Sequence, residues 1–325
     1  MALLEVENLE VRLKTARGMA AAVRGASFAL ERGESLGLVG ESGSGKSMTA
    51  LALLGLLPEG AELAGSIRFE GRELVGLAES ELCKLRGDRI GMVFQEPMTA
   101  LNPLHSVGRQ VAEPLRLHRG LSNSAASEAA VALLDRVGLS DAARRSRAYP
   151  HQLSGGQRQR VAIAMALACS PELLIADEPT TALDVTLQRQ ILDRLAELSE
   201  ESGMAVLLIS HDLGVIAENT RRMLVMYGGS IVESGPTEAV LKRLAHPYSQ
   251  GLLGAQPRLG AGRGSRLATI PGSAPELSEI TTGCPFAERC RLAIEACRAA
   301  PPAPEAVGPG HVARCIRLDA ARAQQ

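Results

Sequence analysis

One eight-residue run, Gly40-Glu41-Ser42-Gly43-Ser44-Gly45-Lys46-Ser47, constrains this chain more than any other. It follows the apolar run Ser35–Val39 (SLGLV), which reads as a buried strand, and it leads into a predicted helix over Met48–Leu57. The glycines let successive backbone N–H groups turn inward around an anion. The helix N-terminus adds a partial positive charge there. The run matches G-x-x-x-x-G-K-[ST] in full. In that motif Lys46 reaches the β- and γ-phosphates of a nucleotide and the Ser47 hydroxyl ligates Mg2+. A glycine-rich turn that matches by chance is the plain alternative, and the flanking strand and helix argue against it.

Two further apolar runs, Leu173–Ala176 and Ala205–Ser210, have the uninterrupted aliphatic character of parallel strands covered on both faces. The expected class is therefore α/β, with chemistry gathered where strands end. Leu173–Ala176 delivers Asp177 and Glu178 to such an end, about 130 residues after the loop. Asp177 is placed to hold Mg2+, and Glu178 to take a proton from an attacking water. Alone, this pair is no more than a strand ending in two solvated acids.

A third segment, Leu153-Ser154-Gly155-Gly156-Gln157, places a natural N-cap and two glycines ahead of a helix predicted to run to Cys169. Exposed N–H groups at a helix start make a second anion site. One chain needs only one phosphate cradle, unless the second serves a neighbouring subunit. An ordinary helix cap is the competing reading.

Taken in order, these motifs resemble the ATPase subunits of ABC transporters. Gln95, within Met92–Pro97, resembles the Q-loop; Asp184, after Thr181-Ala182-Leu183, the D-loop; His211, after Ala205–Ser210, the switch histidine. The resemblance implies a P-loop (RecA-like) core with an antiparallel β subdomain and an inserted helical subdomain. Two subunits would sandwich two ATP molecules, each between Lys46 with its loop and the Leu153–Gln157 segment of the other subunit. Mg2+ would be held through Ser47, Gln95 and Asp177. Glu178 would be the base, His211 would hold the γ-phosphate, and Gln95 would pass movement to membrane subunits.

The family also stacks adenine on an aromatic upstream of the loop. Here the single upstream aromatic is Phe28, placed by strand alternation towards the core, which leaves Leu13 or Val23 to touch the base.

Phe94–Pro103 (FQEPMTALNP), Ala182–Leu192 and His246–Leu253 (HPYSQGLL) resemble, more specifically, the ATPases of oligopeptide, dipeptide and nickel importers. A turn carrying a surface aromatic is the alternative for His246-Pro247-Tyr248. The branch implies a second ABC ATPase, identical or related, two transmembrane permease subunits and an external solute-binding protein. Its cargo would be peptides or a related small solute. A soluble, non-transport ABC ATPase is the alternative function; the single cassette and the lack of a heptad run count against it.

The expected division is an ATP-binding domain over 1–245, with the helical subdomain at about 96–155, and an extension over 246–325. The extension opens with a Gly/Pro-rich stretch, Gln256–Pro275, and carries Cys284, Cys290, Cys297 and Cys315 in the spacing C-x5-C-x6-C-x17-C. Zinc sites are usually built on C-x2-C pairs. Four thiolates can hold zinc or a [4Fe–4S] cluster, and resemblance to cluster-binding members of the branch favours the cluster; reduced structural thiols also fit.

Bulk properties bear on partners. The net charge is −1, so no basic field draws the chain to nucleic acid. Aromatics are 2% of the residues, leaving aliphatic side chains to fill the core. The longest apolar stretches, Leu51–Leu57 and Val161–Cys169, fall short of the ~18 residues a membrane span needs. The opening MALLEVENLEV lacks the basic flank and apolar core of a signal peptide. The expected location is the cytoplasmic face of the membrane, with the chain held there by other subunits.

Overall fold

The computed structural model describes residues 2–95, 100–181, 183–255, 269–276 and 282–323. Positions 96–99 after Gln95, Ala182 ahead of Asp184, and 256–268 of the Gly/Pro-rich stretch lie outside the described residues. In chain order the first six strands are β1 (Leu4–Thr15), β2 (Gly18–Leu30), β3 (Ser35–Val39), β4 (Glu62–Phe69), β5 (Arg72–Glu73) and β6 (Ile90–Val93). The remaining six are β7 (Leu173–Asp177), β8 (Ala205–Ser210), β9 (Arg222–Tyr227), β10 (Ser230–Pro236), β11 (Glu305–Gly308) and β12 (His311–Ala313). Contacts gather these into two compact units. One comprises Met1–Leu4, Leu30–Ser35 and Phe69–Ile209, the other Glu5–Ala29, Leu36–Arg68 and Ser210–Gln325.

In the first unit β7 pairs in parallel with β6 and β8, with Ala176 opposite Val93 and Asp177 opposite Ile209. Every residue of β7 is buried, as a strand covered on both faces requires. Three helices, Val107–Arg119, Asn123–Arg136 and Gly155–Leu167, pack on one another. They bury Val107, Val111 and Leu115; Ala126, Ala130 and Leu134; and Val161 and Ala164. Ser122 caps the second of them by accepting from Ala125 N. Pro114 lies inside the first helix. The proline forgoes one backbone hydrogen bond, and burial of Val111 and Leu115 on either side of it holds the helix together.

In the second unit β2, β1 and β4 are neighbours in one sheet. A separate ladder starts with β3 parallel to β9, Val39 opposite Val225, and continues antiparallel through β10, β12 and β11. The C-terminal strands thus extend the sheet that carries β3. Ala245, Val307, Ala313, Cys315 and Leu318 form a small core among these residues. The first helix after β3 spans Lys46–Leu53, starting inside the glycine-rich run rather than beyond it.

Candidate functional site

The loop between β3 and Lys46–Leu53 is shaped by backbone conformations that favour glycine. Gly43 has φ +79° and Gly45 φ +105°, both left-handed. A Cβ on Gly40 would lie 2.2 Å from the Met226 carbonyl oxygen, so backbone fills the space a side chain would need. Gly229 N donates to Ser44 O across 2.9 Å, fastening the loop to the β9–β10 turn. Lys46 is 5% exposed, and its Nζ donates to Gly40 O at 2.8 Å and Glu41 O at 3.1 Å. Its ammonium therefore sits within the curl of the loop. The Ser44 hydroxyl is buried without a hydrogen-bond partner among the described residues, and a phosphate oxygen is a partner such a group lacks. Ser42 is exposed, and Ser47, one residue into the helix, is half-buried.

In the first unit β7 ends in buried Asp177, and the chain then turns at Glu178, which has φ +48°. A left-handed glutamate costs about 1–3 kcal/mol and persists where its surroundings determine it. Those surroundings are explicit. Glu178 N donates to Ile209 O at 2.9 Å, while its Oε2 accepts from Gln95 Nε2 at 3.1 Å and from Thr181 Oγ1 at 2.9 Å. Gln95 and Glu178 are thus brought together, and Thr181 is a partner that sequence reasoning missed.

Ser154 forms a capping box. Its Oγ accepts from Gln157 N, while Gln157 Oε1 accepts from Ser154 N at 3.1 Å. Leu153 anchors this start in the core; Ser154 and Gly155 are exposed. A Cβ on Gly156 would meet Leu187 Cδ2 at 2.2 Å. The helix-cap reading therefore holds for these residues. Asp184 caps the helix Val185–Ser202 by accepting from Leu187 N at 2.9 Å. His211 directly follows β8 and is exposed.

The adenine expectation needs correcting. Val23 is 0% exposed and is not offered to a base. Phe28 and Leu13 are half-buried. His246-Pro247-Tyr248 is not a surface turn: His246 and Tyr248 are both buried, and they start the helix Pro247–Gly254. Tyr248 Oη accepts from Glu41 N in the glycine-rich loop at 2.8 Å, a contact that neither its spacing nor its flanking residues signalled.

The four tail thiols share a neighbourhood. Burial pushes Cys284 up to about 11, and the nearby Cys315, Cys290 and Cys297 add to the rise. Cys284 N also donates to Cys297 O at 2.7 Å. Among the described residues, however, no group of three or more His, Cys, Asp or Glu side chains is arranged to hold a metal ion. The iron–sulfur expectation is therefore not supported among the described residues; burial pushes the Cys284, Cys290 and Cys315 thiols up.

Comparison with known proteins follows the same motifs. Residues 23–181 match the family described as "ABC transporter", and residues 232–297 match "Oligopeptide/dipeptide transporter, C-terminal region". A putative peptide import ATP-binding protein of Brucella abortus is 51% identical over 97% of both chains. This chain belongs to the ABC transporter ATP-binding subunits. The oligopeptide transport ATP-binding protein OppD of Salmonella typhimurium is 51% identical over 97% of this chain and 93% of its own.

Among solved structures, a dimeric ATP-binding cassette bound to ADP and Pi is 32% identical. It has a TM-score of 0.65 and covers 72% of this ABC subunit and 98% of its own chain. A cassette from Clostridium perfringens, part of an ABC transporter complex, gives a TM-score of 0.64 at 28% identity, over 75% and 92% of the two chains. The fold is the α/β ABC ATPase cassette, and the subunit is an ATPase that works with ATP and Mg2+. Among the described residues no helix is long and apolar enough to cross a membrane.

Proposed function

We propose that this ABC subunit hydrolyses ATP to drive import of peptides or a closely related solute, working from the cytoplasmic face of a membrane. The observation that carries the reading is the 51% identity to a peptide import ATP-binding protein over 97% of both chains. The soluble alternative is not favoured, since the relatives named are transport proteins. The partners would be a second ABC ATPase, two permease subunits and an external solute-binding protein.

Within the subunit, Gly40–Ser47 would hold the phosphates of ATP. Ser47, Gln95 and Asp177 are the residues that would hold Mg2+, which neutralises the charge on the transferred phosphoryl group. Buried Asp177 and the partnerless Ser44 hydroxyl fit such a polyanion and its cation. Glu178 would accept the proton of the attacking water, with Gln95 and Thr181 fixing its carboxylate. His211 would hold the γ-phosphate. Leu153–Gln157 would face the ATP of the partner subunit, and Asp184 would stiffen the helix beside it. We read 1–245 as the cassette proper and 246–325 as its extension. The iron–sulfur reading of Cys284, Cys290, Cys297 and Cys315 rests on the shared neighbourhood of the four thiols; iron and acid-labile sulfide in anaerobically purified protein test it.

Purification of this chain from its native membranes in mild detergent tests the transport reading. Recovery of two multi-span proteins and a second ATPase supports it. Recovery of soluble or ribosomal partners alone overturns it and leaves the ATPase intact.

A further inference from the structure

The second residue of the phosphate loop is held from two directions by the C-terminal part of the chain. Tyr248 Oη takes its backbone N–H, and Arg289 takes its side chain. The Arg289 guanidinium forks onto the Glu41 carboxylate, Nη1 to Oε2 at 2.5 Å and Nη2 to Oε1 at 3.2 Å. This arginine side chain is 8% exposed, against 29% for Glu41. The remaining guanidinium donors are also occupied. Nη1 reaches Tyr227 Oη at 3.2 Å, Nε reaches Pro271 O at 2.8 Å, and Nη2 reaches Ile270 O at 3.4 Å. Beneath it Tyr227, Tyr248 and Phe286 pack ring against ring, with centroids 4.5–5.4 Å apart. A planar fork held at three further points, by Tyr227, Pro271 and Ile270, is preorganised for one carboxylate.

The placement of the acid is the unusual part. The loop otherwise presents N–H groups, a lysine and a helix N-terminus to a polyanion, and Glu41 brings a negative charge into its second position. Left unpaired, that carboxylate repels phosphate at short range. Bound to Arg289, it is neutralised and turned towards the C-terminal segment. We propose that Arg289 is a positioning residue for nucleotide binding, holding Glu41 off the phosphates and fixing the entry of the loop. The proposal rests on the reading of Gly40–Ser47 as the phosphate loop. It gives the C-terminal segment a direct role in ATP affinity.

Calorimetric titration of the full-length chain with Mg·ATP tests this. Arg289→Ala, which frees the carboxylate, weakens the Kd about tenfold or more, a loss of roughly one charge-assisted hydrogen-bonded pair. Adding Glu41→Ala to that variant removes the freed charge and recovers most of the loss. A purely structural contact gives no such rescue, because the double variant lacks the pair just as the single does. Arg289→Lys retains most of the affinity, and Arg289→Gln, which can hydrogen-bond but carries no charge, does not. These two carry the test if Arg289→Ala fails to fold, as judged by its thermal melt.

An unchanged Kd in Arg289→Ala, a double variant as weak as the single, or equal binding by the Lys and Gln variants overturns the proposal. Lys46→Ala separates it from the reading beneath it. If Lys46→Ala weakens ATP and Arg289→Ala does not, only the arginine's role falls. If Lys46→Ala binds as wild type does, the phosphate-loop assignment falls with it.

Discussion

Gln95 Nε2 donates to Glu178 Oε2 across 3.1 Å, so a glutamine beyond β6 and the acid that follows β7 share one hydrogen bond. The carboxylate is 8% exposed, sits on a residue at φ +48°, and takes a second bond from Thr181. For the proposed base, the two hydrogen bonds and the left-handed backbone fix the orientation of the carboxylate. Glu178→Gln preserves shape and most of the hydrogen bonding but removes the proton acceptor. Its ATP affinity is expected to stay within about threefold of wild type, while phosphate release slows by about 10²–10⁴. Steady-state phosphate release beside a binding titration checks both; normal turnover removes Glu178 from its role.

Gly40 has no room for a methyl group. Its added Cβ would lie 2.2 Å from the Met226 carbonyl oxygen and 2.8 Å from Ser44 Oγ, and the first of these is backbone in the middle of a sheet. Gly40→Ala is therefore expected to lose about 1–3 kcal/mol of stability through overpacking and to lose ATP binding as the loop shifts. Thermal melts with and without Mg·ATP report both: the variant melts lower, and nucleotide no longer raises its melting temperature.

The elements of this cassette were legible to different degrees, for physical reasons. The runs Ser35–Val39, Leu173–Ala176 and Ala205–Ser210 were readable because a strand covered on both faces must be apolar throughout. Gly43 and Gly45 were readable because their positive φ admits little else. Pro114 sits inside a helix against its local propensity, because the packing of Val111 and Leu115 holds the helix on either side of it. Val23 misled because strand alternation alone does not say which side of β2 is covered. Tyr248 and Arg289 reach Glu41 from 207 and 248 residues away, and no periodicity encodes such a pairing. Thr181 lies 3 residues from Glu178, and only the left-handed turn between them brings its hydroxyl back onto the carboxylate.

Glu233 is the most heavily used buried acid of the C-terminal region. Its carboxylate accepts from Ala245 N at 2.7 Å, from His246 N at 3.0 Å, and faces His311 Nε2 at 2.7 Å. It is 1% exposed and His311 is 2% exposed. Glu233→Ala strands three buried polar groups at once, so a loss of about 3–5 kcal/mol is expected. Urea denaturation of the full chain measures it. A loss below about 1 kcal/mol means that the carboxylate is replaceable by water.

His246 links this cluster to acid stability. Its Nδ1 accepts from Tyr248 N at 3.1 Å, capping the helix that brings Tyr248 to the phosphate loop, and only the neutral ring can accept. Complete burial lowers its pKa from 6.5 to about 4, with Glu233 opposing part of the drop. The unfolded chain therefore takes up this proton first as pH falls. The stabilisation is fully present above pH 6.5 and is lost progressively towards pH 4, on the order of 3 kcal/mol in all. Asn at 246 keeps a capping acceptor without titrating. Between pH 7 and pH 4.5, His246→Asn is expected to lose less of its unfolding free energy than wild type does, with Glu233 and His311 unchanged in both. Parallel slopes for the two proteins would show that acid acts elsewhere than on the cap.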